Sequence, residues 1–327
     1  MPRADPTVTV IVPVRNGAPY VATCLRSIAS DPYPGQCREI IVADNGSTDE
    51  TVVLATSLGA QVLSKPGVPV SALRNEAVRR SSGDVLAFVD VDHEISPGWL
   101  AAAIDALRDP TVGATGAPCH PPPNATWVQR MYDSMRDHVE APVETRWLGA
   151  GNLVVRRSAF EDIGGFDETL EACEDVDLCR RLRSSGARLI NTPRMVNRHF
   201  GDPATLRALF KGELWRGRDN LRVSLRGPVS WRDLPSVVVP VLWLVVTALS
   251  VVALWSRSPT VTGVAAIGLC VLGLATGARA AGMIRRRSIP AGLQWAQAVV
   301  VACVYDMARA LSLVVRVTHR TRQTVPA

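Results

Sequence analysis

Val85-Leu86-Ala87-Phe88-Val89 is an unbroken apolar run between Gly83 and a group of acids. A short apolar run rich in β-forming residues predicts a strand buried on both faces, as in a parallel sheet. Thr7–Val12, ending at Pro13, and Glu39–Ala43 read the same way, and Gln61–Leu63 and Val112–Thr115 are shorter strands. Between them, helical periodicity covers Tyr20–Ala29, a stretch to about Leu58 that Ser47 or Thr48 would cap, Ser71–Arg80 and Pro97–Leu107. Strands alternating with helices predict right-handed βαβ units, and hence an α/β fold with helices on both faces of the sheet.

From Pro118 to Trp147 the alternation breaks. Pro121-Pro122-Pro123 is a stiff stop, and an amphipathic piece with Met131, Tyr132 and Met135 follows, read as an insert over the site. Leu148–Val155 resume extended structure, Glu174–Ser184 is a helix with Leu178 and Leu182 inward, and Arg188–Ile190 is a strand. Thr205–Arg226 is helical, basic and apolar on one side, which fits a helix lying at a membrane surface. Two apolar stretches, about 235–256 and 261–284, are long enough to span a bilayer. A third, 292–317, carries Asp306 and Arg309, three apart and able to pair. Spanning would place Arg316, His319, Arg320 and Arg322 outside, so an interfacial or re-entrant course is expected. The expected domains are 1–203 (α/β), 204–233 (interfacial linker) and 234–327 (membrane region).

Charge supports this division. The net charge is +6, but the region before Pro235 mixes both signs, whereas beyond it Asp306 is the only acid. Basic residues flanking apolar runs, such as Arg285-Arg286-Arg287, mark a cytoplasmic membrane face rather than a nucleic-acid surface. The seven cysteines are scattered without a C-x-x-C pair, so neither disulfides nor a zinc site is expected. MPRADPTVTV holds no apolar signal stretch, so the α/β part is expected in the cytoplasm of a multi-pass membrane protein.

The candidate chemistry gathers at predicted strand ends, where open α/β sheets bind ligands. Asp90 and Asp92 follow the Val85–Val89 strand; two carboxylates there call for a cation, and hard cations prefer oxygen ligands. Asp44-Asn45-Gly46 follows Glu39–Ala43 and also reads as a turn with a helix cap. Glu174-Asp175-Val176-Asp177 opens a helix whose dipole favours acids, with Asp177 placed to pair with Arg181.

Taken in order, Pro13–Gly17, Asp44–Asp49, Arg74 with Asp90/Asp92, and GGFDETLEACEDVDLCRRLRSSG resemble the family 2 inverting nucleotide-sugar glycosyltransferases of the GT-A fold. The resemblance covers roughly Thr7 to Gly201. It implies a Rossmann-like, mostly parallel sheet, here followed by a C-terminal helical membrane region. On the donor side it implies that Pro13, Val14, Arg15 and Asn16 lie along the nucleotide base and Asp44 accepts from a base N–H. Arg74 would sit near the ribose and diphosphate, and Asp90 would hold the ribose. Asp92 and His199 would hold Mg2+ or Mn2+; His93, where the family often has a third acid, is assigned no role. Asp175 would be the base that deprotonates the acceptor hydroxyl, while Gly151, Asn152, Asp167 and Glu174 would line the acceptor side.

The implied reaction is sugar transfer, with inversion, from a nucleotide-diphosphate sugar to a lipid-linked or envelope glycan, with membrane lipid as a further partner and no nucleic acid. A processive synthase would carry Q-x-x-R-W where this chain reads Lys211-Gly212-Glu213-Leu214-Trp215-Arg216. A nucleotidyltransferase would show a Gly-rich phosphate loop that Pro13–Gly17 lacks, and a non-catalytic scaffold would have lost Asp92 or Asp175.

Overall fold

A computed structural model describes residues 5–34, 38–227, 234–286 and 293–315. In chain order the first elements are β1 (Val8–Val14), α1 (Ala18–Ala29), β2 (Arg38–Asp44), α2 (Thr51–Ser57), β3 (Gln61–Ser64), α3 (Val70–Arg79) and β4 (Val85–Val89). Then come β5 (His93–Ile95), α4 (Trp99–Ala106), β6 (Val112–Gly116), α5 (Trp127–Asp133), β7 (Val143–Glu144), β8 (Asn152–Arg156), α6 (Arg157–Asp162), α7 (Glu174–Ser184), β9 (Arg188–Asn191) and β10 (Asn197–His199). The remainder is helical: α8 (Leu206–Arg216), α9 (Asn220–Ser224), α10 (Leu234–Ser256), α11 (Pro259–Arg285) and α12 (Leu293–Leu311). The chain divides into two compact units, residues 1–122 with 138–201, and residues 123–137 with 202–327.

The first unit is built on a sheet of order β3-β2-β1-β4-β8-β6-β9-β7. Every residue of β1 and β4 is buried, as their apolar runs require. Side-chain alternation feeds two cores. Val8, Val10, Val12, Val85, Ala87 and Val89 pack with α1 and α4, while Ile11, Leu86 and Phe88 pack with α3, α6 and α7. β1 continues through Pro13, beyond the predicted end at Val12; β4 pairs with it only as far as Ile11, so a residue without an N–H is tolerated there.

The sheet is mostly parallel, with an exception that matters. β8 runs antiparallel between β4 and β6, with Asn152 opposite Val89 and Arg156 opposite Val85. Its entry, Gly149–Gly151, therefore lies at the carboxyl edge of β4, where strictly parallel alternation would have put its exit. β5 and β10 form a separate two-stranded ribbon just past that edge.

In the second unit, α5 joins α8, α11 and α12 around Val128, Met131, Leu209, Ala280, Met283, Ala298, Val301 and Ala302. The sequence grouped Pro118–Trp147 as one insert on the transferase-like part; instead, residues 123–137 belong to the helical unit. A Thr126–Gln129 capping box starts α5, and the Arg136 guanidinium grips Asp202 with bonds of 2.7 and 2.6 Å. Within the stretch expected as a linker, α8 packs on α12. The predicted Thr205–Arg226 helix is two helices, α8 and α9.

α10 and α11 hold the two predicted spans: they are 23 and 27 residues long, contain 18-residue stretches of mean hydropathy 2.7 and 2.0, and both are long and apolar enough to cross a membrane. On α12, Asp306 and Arg309 do not pair with each other as the sequence suggested. Asp306 binds Arg279 of α11 at 2.9 Å, and Arg309 binds Glu213 of α8 at 2.8 Å. Each buried carboxylate needs a cation, and neighbouring helices supply it with better geometry than an i,i+3 pair. Arg287, Arg316, His319, Arg320 and Arg322 lie outside the described residues.

Candidate active site

Two loops at the carboxyl ends of β1 and β2 are laced together. Asn16 has a left-handed backbone (φ 53°), which asparagine tolerates better than most residues. Its N–H donates to Ser47 Oγ at 2.8 Å, and its Oδ1 accepts from the Thr48 N–H at 2.8 Å. Ser47 and Thr48 thus bind the neighbouring loop rather than cap α2, which starts at Thr51 beside the Asp49 carboxylate. The buried Asp44 carboxylate accepts from the N–H groups of Gly46 (3.0 Å) and Ser47 (3.1 Å), as in the turn reading. Asn45 ties the loop to Val68 through both ends of its amide. Pro13 and Val14 are buried in β1, and Arg15 is exposed.

Asp90 and Asp92 stand just past β4. The Asp90 side chain remains 37% exposed, enough to meet a ligand. Asp92 Oδ2 lies 3.2 Å from His199 Nε2, and its Oδ1 lies 4.0 Å from His93 Nε2. The β5–β10 ribbon creates this cluster: His93 pairs directly with His199 across the two strands, their rings 4.5 Å apart. The ligand atoms of Asp92, His93 and His199 all lie within 4.8 Å of one another, close enough to hold one metal ion. Burial opposes ionisation of Asp92, yet the His199 and His93 imidazoles hold its carboxyl well below the usual carboxylate range.

Two further observations fit a cation. A Cβ on Gly201 would collide with Asp92 Oδ2, and one on Gly151 would come within 2.7 Å of Asp90 Oδ2 and of His93 Cε1. Asn197, fully buried, faces His93 Nδ1 at 2.8 Å through its Nδ2, while its Oδ1 has no partner. Turned by half a rotation, the amide would accept the Nδ1–H and free Nε2 as a ligand, the support metal-binding histidines commonly receive.

On the other side, α7 begins with Glu174 and Asp175. The Asp175 carboxylate accepts from the N–H groups of Val176 (2.8 Å) and Ala150 (3.4 Å). Burial, reinforced by the Glu174 carboxylate, pushes its carboxyl up to about 7 against those N–H groups and Arg74. Arg74 was expected near the ribose and diphosphate. It is 3% exposed and bridges Asp90 and Glu174, each at 2.7 Å. Asp177 pairs with Arg181 at 2.8 Å, as their spacing suggested.

Residues 9–164 match the family described as glycosyl transferase family 2. Glycosyltransferase AglE of Haloferax volcanii is 28% identical over 250 residues, covering 74% of this chain and 81% of that protein. Residues 9–164 are therefore read as a glycosyl transferase family 2 domain. The pre-mycofactocin glycosyltransferase of Mycobacterium tuberculosis is 31% identical over 199 residues, covering 57% of this chain but only 41% of its own length. The mannosyltransferase PcManGT from Pyrobaculum calidifontis, solved with GDP-Man and Mn2+, shares the fold. It superposes with a TM-score of 0.62 at 19% identity, covering 93% of this chain and 88% of that one. The family match stops before α7 and β10, so Asp175 and His199 stand on geometry.

Two residues expected on the acceptor side are bonded within the protein. Asn152 is 1% exposed and points into the core, accepting from Trp99 Nε1 at 2.6 Å and donating to the carbonyls of Ala117 (2.9 Å) and Met195 (3.1 Å). Its amide is fully used in pinning β8, leaving nothing for an acceptor. The Asp167 carboxylate folds back onto the Thr169 N–H and hydroxyl, closing a turn. His93 was the residue sequence reasoning passed over. Its signal was present, a third donor one place after Asp92, but only the pairing with β10 gives it a purpose.

Proposed function

We propose that the protein is a membrane-attached glycosyltransferase that moves a sugar, with inversion, from a nucleotide-diphosphate sugar to a hydroxyl of a lipid-linked or cell-envelope glycan. One observation carries the reading: a carboxyl with a pKa raised to about 7, Asp175, shares the carboxyl edge of the sheet with the Asp92–His93–His199 cluster. A general base works best when its pKa lies near the working pH. The Asp175 carboxylate takes the acceptor hydroxyl proton as the new C1–O bond forms and the bond from C1 to the diphosphate oxygen breaks. A single base without a carboxylate nucleophile opposite it favours single displacement.

Asp92, His199 and His93 would hold Mg2+ or Mn2+, which when bound neutralises charge developing on the leaving diphosphate. Asp90, its side chain still accessible, faces the ribose, and the laced Asn16–Ser47 and Asp44 loops form the floor for the base. α10 and α11 anchor the chain, with the transferase unit on the cytoplasmic side and α12, lying against α5 and α8, at the interface. Purified protein offered a panel of nucleotide sugars with a lipid-linked acceptor tests the reading. Release of nucleoside diphosphate that depends on both donor and acceptor is expected; no release with any donor overturns it.

A further inference from the structure

One guanidinium stands between the two sides of the site. The other charged residues of this region, Glu76, Arg79 and Arg80, pair with one another at 2.8 and 3.0 Å. Arg74 instead turns inward. Its Nη1 donates to Glu174 Oε1 and its Nη2 to Asp90 Oδ1, joining residues 100 and 16 positions away in sequence. The Phe166 ring lies 5.5 Å from its guanidinium carbon and limits its tilt. A planar fork with one arm on each carboxylate cannot move to serve one without leaving the other.

What it anchors is the start of α7. That helix enters through Cys173 in a left-handed conformation (φ 60°) and has no side-chain cap. Its first turn carries three acids, Glu174, Asp175 and Asp177, so its position rests on what those acids bind. Asp177 is held by Arg181 within the same helix, and Glu174 is held by Arg74 from α3.

We propose that Arg74 is a positioning residue, holding the first turn of α7, and with it the Asp175 carboxylate, in fixed register with Asp90 at the end of β4. The inference rests on Asp175 being the base. Of the charged groups acting on Asp175, Glu174 raises its proton affinity and Arg74 lowers it. Cys179, one turn further along α7, is pushed up to about 12 by burial and stays protonated. Arg74 therefore sets both the place of the base and, by neutralising Glu174, how far its proton affinity rises.

The test uses the full-length protein and four variants: Glu174→Gln, Arg74→Lys, the two combined, and Asp175→Asn. The readouts are kcat and donor KM across pH, with calorimetric binding of the nucleoside diphosphate released in turnover. Glu174→Gln keeps an oxygen for Arg74 and loses a charge, so the acid limb of kcat should move down by roughly one pH unit. Arg74→Lys should cut kcat by about tenfold or more and move the limb up, with nucleotide affinity nearly unchanged. The double variant should bring the limb back toward wild type.

Weakened nucleotide binding with an unmoved limb in Arg74→Lys would mean that Arg74 holds the donor directly, and the proposal fails. A uniform loss of folded protein without a limb shift also overturns it, as does an unmoved limb in Glu174→Gln, which leaves the packing in place. If Asp175→Asn still transfers sugar, the base reading fails first; if it is inactive while no limb moves, this inference fails alone.

Discussion

Two carboxylates, the half-buried Asp175 in the first unit and the buried Glu213 in the helical unit, meet opposite fates. Glu213 is fully buried, and burial opposes its charge, yet Arg309, Arg216 and the Tyr132 hydroxyl hold it below the usual range. Its bonds to them measure 2.8, 3.0 and 2.9 Å. Asp175 receives two backbone N–H groups but lies beside another acid, and Arg74, which favours its charge, is already shared by two other carboxylates. A buried charge that is fully compensated is a joint; one left short of compensation is available for chemistry.

The largest effect should come from removing the metal. Chelation with EDTA is expected to abolish transfer, and Mn2+ should restore it better than Mg2+, because imidazole ligands suit Mg2+ poorly. Full activity in chelator would remove the Asp92 cluster from the mechanism. Next, Asp175→Asn should lower kcat by about 10²–10⁴-fold while nucleotide binding, followed by calorimetry, persists. Asp177→Asn, which loses the charge pairing with Arg181, should retain transfer and melt earlier. An inactive Asp177 variant beside an active Asp175 variant would reverse the assignment.

The contrast also shows what the sequence could convey. The apolar runs at Val8–Val14 and Val85–Val89 announce buried strands, and the acids after them announce a site, because burial and strand ends are local properties. Direction is not local: nothing in Asn152–Arg156 says that β8 runs against β4, and with that goes the fate of Asn152. The side-chain period of two places Asn152 on a face but not in a core. His93 needed β10, more than 100 residues later, to acquire meaning. Asp306 and Arg309 misled for the same reason, since helix spacing offers an i,i+3 pair while Arg279 and Glu213 come from other helices. The resemblance placed Arg74 near the ribose and diphosphate, but its bond to Glu174, 100 positions away, could not be read from sequence.

Glu213→Gln sharpens the comparison from the structural side. It leaves Arg309 and Arg216 without their shared counter-charge, a loss typically of about 3–5 kcal/mol when a buried pair is broken. The expected outcome is a lower melting temperature with kcat per folded molecule unchanged. If kcat falls while the melting temperature holds, Glu213 is part of the chemistry and the distinction between the two acids collapses.

The smallest effect is the most specific to Asp175. Its folded carboxyl titrates at about 7, above the unfolded value of about 3.9. The folded state therefore holds a proton that the unfolded chain has already released, so stability falls as pH rises between those two values. Transfer has the opposite dependence, rising through about pH 7 as the base loses its proton. Asp175→Asn cannot titrate, so its melting temperature should match wild type near pH 4 and exceed it near pH 8. Glu213, held ionised, predicts no such gain for its amide. Melting curves of both variants at the two pH values decide the matter: an Asp175→Asn protein no more stable than wild type at pH 8 would mean that this carboxylate is compensated after all.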